Sequence, residues 1–127
     1  MEQVSQLPDL HRKIAHWKGE VDAVRQELSA LTNELEKFAG RYVTHSDLAE
    51  VEHFQNQFIL QKEVSDELFH DLKQESKRIT LGSAAAGDAY AEMIRTENDY
   101  LSERMRTFNT LYTALKARFR GFIEKKL

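Results

Sequence analysis

The sequence predicts an all-α fold: an antiparallel up-down-up bundle of three long helices with coiled-coil-like packing, open to completion by dimerisation. Three observations predict it. Ten apolar residues keep an unbroken 3,4 alternation down the first third of the chain: Leu7, Leu10, Ile14, Trp17, Val21, Val24, Leu28, Leu31, Leu35 and Phe38. On a helix that spacing draws one apolar stripe, which is buried only against other helices. The pattern returns as Ile94, Leu101, Met105, Phe108, Tyr112, Leu115, Phe119 and Phe122. Only two short segments with turn residues separate the long periodic stretches, and short connections between long helices force neighbours to run antiparallel.

The first helix is expected over residues 7–39. Pro8 is tolerated only in a first turn, and Gly40 stands where a left-handed cap would end the helix. Gly19 lies inside it, off the stripe, at a propensity cost of about 1 kcal/mol. Thr44 with Asp47 three residues on reads as a capping box for a second helix over 47–79. Its stripe is clean through Leu48, Val51, Phe54 and Phe58, and then meets Gln61, Ser65 and Glu75 in frame. Other apolar residues (Ile59, Leu60, Val64, Leu68, Phe69, Leu72, Ile79) spread over a wider arc. The expectation is a stripe that rotates around the helix, as a heptad break would make it do. Gly82 and Gly87 bracket the next connection. The third helix then runs over 84–125, with Ser83 and Asp88 as rival starts.

Length and composition fit one helical domain over residues 1–127, with 31% charged and 41% apolar residues. Cysteine is absent, which excludes disulfides, thiolate metal sites and a cysteine nucleophile. Neither a signal-like N-terminus nor a run of about 18 apolar residues is present, so the expectation is a soluble, cytoplasmic chain. The net charge of −3 hides an asymmetry: residues 1–46 sum to −1, 47–103 to −8 and 104–127 to +6. Nucleic-acid binding would want positive charge across the whole domain, and is not expected.

Few residues are arranged for chemistry. Two Glu-x-x-His pairs stand on the second helix, Glu50 with His53 and Glu67 with His70. This spacing serves di-iron carboxylate bundles, which place the pairs on separate, facing helices. Here the pairs are on one helix, about 25 Å apart at 1.5 Å per residue, and share a metal only if a two-fold axis brings copies of the chain together. Gly82-x-x-x-x-Gly87 begins like a phosphate loop, but Asp88-Ala89 replaces the required Lys and Ser or Thr. No nucleophilic triad and no cofactor site emerges.

The layout resembles that of spectrin-type three-helix repeats, including a tryptophan, Trp17, on the first helix, although the helices here are longer and no tandem copy follows. That resemblance implies a three-helix fold and no particular activity. The function expected is therefore that of a non-enzymatic interaction protein, an adaptor, scaffold or chaperone-like bundle. It would act through self-association, as a homodimer, or through partner-helix binding on the second helix, with Ile59, Leu60 and Phe69 as contacts. The basic C-terminal tip (Arg118, Arg120, Lys125, Lys126) offers a second surface, for an acidic partner or, more weakly, a membrane surface. Pairing of that tip with Asp47, Glu50 and Glu52 is the competing use. A metal- or cofactor-binding bundle using Glu50, His53, Glu67 and His70 across a dimer is the alternative function.

Overall fold

The computed structural model describes residues 7–42, 44–82 and 87–126. Among them are three helices, α1 (Leu7–Tyr42), α2 (Leu48–Gly82) and α3 (Asp88–Lys126), with a 3-10 turn (His45–Asp47) leading into α2, and no strand. Cross-helix contacts give the directions. His11 on α1 meets Ser76 on α2 at 3.0 Å and Arg25 meets Asp66 at 2.9 Å, so numbers rise on one helix as they fall on the other. Lys116 and Arg120 on α3 reach Glu27 and Glu34 on α1 at 2.9 and 2.6 Å, which sets those two helices parallel. Arg104 on α3 reaches Asp71 on α2 at 2.6 Å, again antiparallel. The bundle is up-down-up.

Local chemistry sets the helix ends, and one differs from expectation. Asp47 accepts hydrogen bonds from the Thr44 backbone N–H (3.3 Å) and hydroxyl (2.9 Å), and its own N–H donates to the Thr44 carbonyl at 3.0 Å. The reciprocal cap is therefore present, and it closes a 3-10 turn one residue ahead of α2. Gly40 does not end α1. The helix runs on to Tyr42, and no described glycine has a positive φ. With the cap of α2 built from Thr44 and Asp47, the chain reverses without a left-handed residue at Gly40. α2 likewise extends past Ile79 to Gly82, where the Tyr90 ring lies against the glycine and would collide with any Cβ. α3 begins at Asp88, and the Gly87 carbonyl accepts from the Ala91 N–H at 3.1 Å. The rival start at Ser83, and residues 84–86, lie outside the described residues.

All three helices bury one stripe each. On α1 it is the predicted set, with Trp17 and Val24 half-buried and the rest buried. On α3 it is Ala91, Ile94, Asn98, Leu101, Met105, Phe108, Tyr112, Leu115, Phe119 and Phe122, joined by Ile123. The stripe of α2 corrects the sequence reading. Val51, Phe54, Phe58, Gln61, Ser65, Leu68, Leu72, Glu75 and Ile79 are all buried, an unbroken 3,4 frame from end to end. No rotation occurs. The polar residues stay in phase and are buried, and the competing apolar residues Ile59, Leu60 and Val64 are left outside.

The core falls into two clusters, one around Ile14, Leu72 and Leu101 and one around Leu35, Phe54 and Phe119, with Val24 packed against both. On α2 the divide coincides with Gln61 and Ser65. The second cluster holds five phenylalanines, in which Phe54 contacts Phe58, Phe119 and Phe122, Phe58 contacts Phe119, and Phe38 contacts Phe122, with ring centroids 5.1–6.3 Å apart. These separations suit edge-on and offset aromatic packing. Phe119 is fully buried at its centre. Phe119→Ala should lower the free energy of unfolding by about 3–5 kcal/mol in urea titration. Gly19, exposed with nothing near a would-be Cβ, should act oppositely: Gly19→Ala gains about 0.5–1 kcal/mol from helix propensity alone.

Candidate functional site

The surface of the bundle carries charge almost everywhere except one belt. From Phe54 to Gln61 α2 has no charged residue, and from Thr107 to Leu115 α3 has none. The two runs adjoin in space, because Gln61, Val64 and Leu68 line one groove of about 290 Å³ with Thr107, Phe108 and Leu111, and Glu103 and Arg104 close it at one end. Leu60 stands one turn from Val64 on the same side of α2. Leu60 is 53% exposed, Val64 47% and Leu111 59%, too open for core residues. On the other flank of α2, Ile59 borders a second groove with Leu28, Ser29, Thr32 and Asn33 of α1, also without a charge on that stretch. Scattered exposed leucines are ordinary, whereas a contiguous apolar face marks a contact surface.

Leu60 and Ile59 are both exposed, on different flanks of α2. Phe69 does not join them. It faces α1, half-buried, with the Arg25 guanidinium 4.6 Å above its ring, so its apolar surface is already covered within the molecule. Val64, which the sequence placed in the wider arc but not among the contacts, and Leu111, which it did not single out, complete the face. For Leu111 a signal existed in the nine-residue uncharged run on α3. It has meaning only beside the matching run on α2.

The basic tip is divided. Lys126 pairs with Asp47 at 2.8 Å and Arg120 with Glu34 at 2.6 Å. Asp47, almost fully buried, thereby ties the start of α2 to the end of α3. The hydrogen bond from Lys126, followed by that from Thr44, holds its carboxyl below the ordinary value. Among the described residues no ion pair engages Arg118 or Lys125, which line a cleft of about 410 Å³ with Glu50, His53 and Lys126. Of the carboxylates expected to neutralise the tip, Asp47 makes a direct pair and Glu50 borders the cleft.

The Glu/His pairs stay on the outer surface. Glu50, His53, Glu67 and His70 are exposed, the His53 ring rests edge-on against Phe54, and His70 Nδ1 is 3.5 Å from Asp71. Among the described residues no three His, Asp or Glu side chains gather closely enough to hold a metal ion. No described helix is long and apolar enough to cross a membrane. Comparison with protein-family models, with curated proteins and with solved structures found no match.

Beyond the uncharged belt, toward the start of α3, lies a polar cleft of about 390 Å³ lined by Glu67, Asp71, Gln74, Glu75, Arg78, Glu97, Tyr100 and Arg104. Glu75 sits at its floor, in the stripe of α2 and 2% exposed, with neither carboxylate oxygen hydrogen-bonded. Arg78 Nε is 3.6 Å away, too far for a hydrogen bond. Loss of water raises its pKa above the usual carboxylate value, with Arg78 opposing and Glu97 adding to the rise. A carboxyl whose pKa is higher in the folded state binds its proton more tightly there. It therefore favours folding below about pH 4.5, its unfolded value, and that contribution is lost as pH rises through the folded value. Glu75→Leu should remove this slope from the pH dependence of stability. At pH 7 it should raise stability by about 1–3 kcal/mol, read by denaturant melts of both chains across pH 4 to 8.

Proposed function

We propose that this protein is a non-enzymatic interaction module, a helical bundle that buries the α2/α3 face around Leu60, Val64 and Leu111 against another helical surface. One observation carries the reading. The stripe of α2 accepts Gln61, Ser65 and Glu75 into the interior while Ile59, Leu60 and Val64 remain outside. Exchanging those environments would favour a free-standing bundle, since exposure of a leucine-sized side chain forgoes about 1.5–3 kcal/mol. A chain whose surface has a use for apolar residues has reason to keep the arrangement. Gln61 and Thr107 border the groove as neutral groups, and the two charges that line it, Glu103 and Arg104, are opposite in sign.

Leu60→Ser combined with Leu111→Ser tests the reading, because neither residue supports the core. Helicity should be unchanged, and the stability of the single chain should stay within about 0.5 kcal/mol, as for surface substitutions in general. A photoreactive amino acid at Val64 should give discrete adducts in living cells, and the double substitution should abolish them. Adducts that persist unchanged in the doubly substituted chain would show that the face is not the docking surface.

A further inference from the structure

We propose that the partner on this face is a second copy of the same chain, set antiparallel across a two-fold axis that passes near Val64 and Leu111. The inference rests on the docking reading and names its occupant. Its ground is the order of charge along the face. At the end formed by the C-terminus of α3, Arg118, Lys125 and Lys126 surround one carboxylate, Glu50. The middle is the largely apolar groove of Val64, Leu68, Phe108 and Leu111, where the opposite charges of Glu103 and Arg104 cancel. At the far end Glu67, Asp71, Glu75 and Glu97 outnumber Arg78 and Arg104, and still do so with Glu75 protonated. A parallel copy sets basic on basic and acidic on acidic. An inverted copy sets basic on acidic at both ends and apolar on apolar between them.

The spacing along each helix matches that inversion. On α2, Gln57 and Asp71 are each seven residues from Val64, about two turns either way and on the same side of the helix. On α3, Lys125 and Glu97 are each fourteen residues from Leu111, again in phase. Val64 and Leu111 line one groove, and rotation about an axis across the helices at that level brings Gln57 level with the second copy's Asp71 and Lys125 level with its Glu97, each contact being made twice by symmetry. Arg118 comes level with Arg104, whose charge Asp71 already holds at 2.6 Å. The area suffices too. A face two helices wide, roughly 20 Å, and about 50 Å long offers on the order of 1,000 Å², against the ~800 Å² per partner of an ordinary stable interface.

Sedimentation equilibrium of the full chain tests the proposal. The expected mass is that of two chains. Lys125→Glu and Glu97→Lys should each weaken association roughly tenfold, because each replaces two attractions by two repulsions. The chain carrying both substitutions should recover wild-type affinity. The absence of cysteine makes a second readout clean. Under mild oxidation Val64→Cys should crosslink to itself, and Gln57→Cys should crosslink to Asp71→Cys but not to another Gln57→Cys. A wild-type chain that keeps the mass of one copy at every concentration overturns the proposal. So does a dimer indifferent to Lys125→Glu, or one that crosslinks through Gln57→Cys alone. Where the chain is monomeric but photo-adducts with other proteins form and depend on Leu60 and Leu111, the second copy is excluded and the docking module stands. Where neither dimer nor adduct forms, both fall.

Discussion

The phase of α2 is the constraint on which the rest of the molecule depends. Nine residues from Val51 to Ile79 keep to one side of that helix whatever their chemistry. Phe54 and Phe58 lock one end into the aromatic cluster, and Leu68, Leu72 and Ile79 lock the other into the aliphatic one. A continuous helix cannot rotate between two fixed ends without breaking its hydrogen-bond ladder. Gln61, Ser65 and Glu75 are therefore carried inside, and Ile59, Leu60 and Val64 are carried out. The candidate interface is a consequence of that phase.

Polar residues held inside are accommodated unequally. Ser65 turns its hydroxyl back to the Gln61 carbonyl at 2.7 Å, and Asn98 on α3 points its amide toward the Leu10 carbonyl at 3.5 Å. The Gln61 amide nitrogen and both Glu75 oxygens find no hydrogen-bond partner. Each such group is destabilising in an apolar surround, and each lies beside a groove on the α2/α3 side. Docking there would change the environment of both, which links the interior of α2 to the face outside it. Polar residues in a helical stripe also discriminate between registers, at some expense of stability.

Ion pairs between helices act on the flanks of this arrangement. Arg25 with Asp66, Arg104 with Asp71 and Lys116 with Glu27 join the three helices around the middle of the bundle, and Lys126 with Asp47 joins two of them at one end. Glu27 also accepts a hydrogen bond from Tyr112. That bond and the one from Lys116 lower the pKa of the carboxyl, while burial and the same contact raise that of the phenol. Partly exposed pairs of this kind contribute little stability each. Their effect is on direction and register. By using Lys126, Lys116 and Arg120 internally, they also leave Arg118 and Lys125 as the cations offered at that end of the α2/α3 face.

Features that depend on local spacing are legible in the chain. The number of helices, their up-down-up order, the stripes of α1 and α3 and the Thr44–Asp47 cap all follow from residues within a turn or two of one another. Where two local signals competed, the tertiary structure decided. Gly40 signals a helix end, yet α1 continues because the reversal is made by the cap of α2. Phe69 reads as a surface aromatic until Arg25 of α1 covers it. Leu111 becomes part of a face only when α3 lies beside Val64. Above all, α2 contains two plausible stripes, one regular with polar interruptions and one more apolar but out of phase. The choice between them depends on which stripe fits α1 and α3 along the whole length of the bundle, an energy shared among three helices that no single helix encodes.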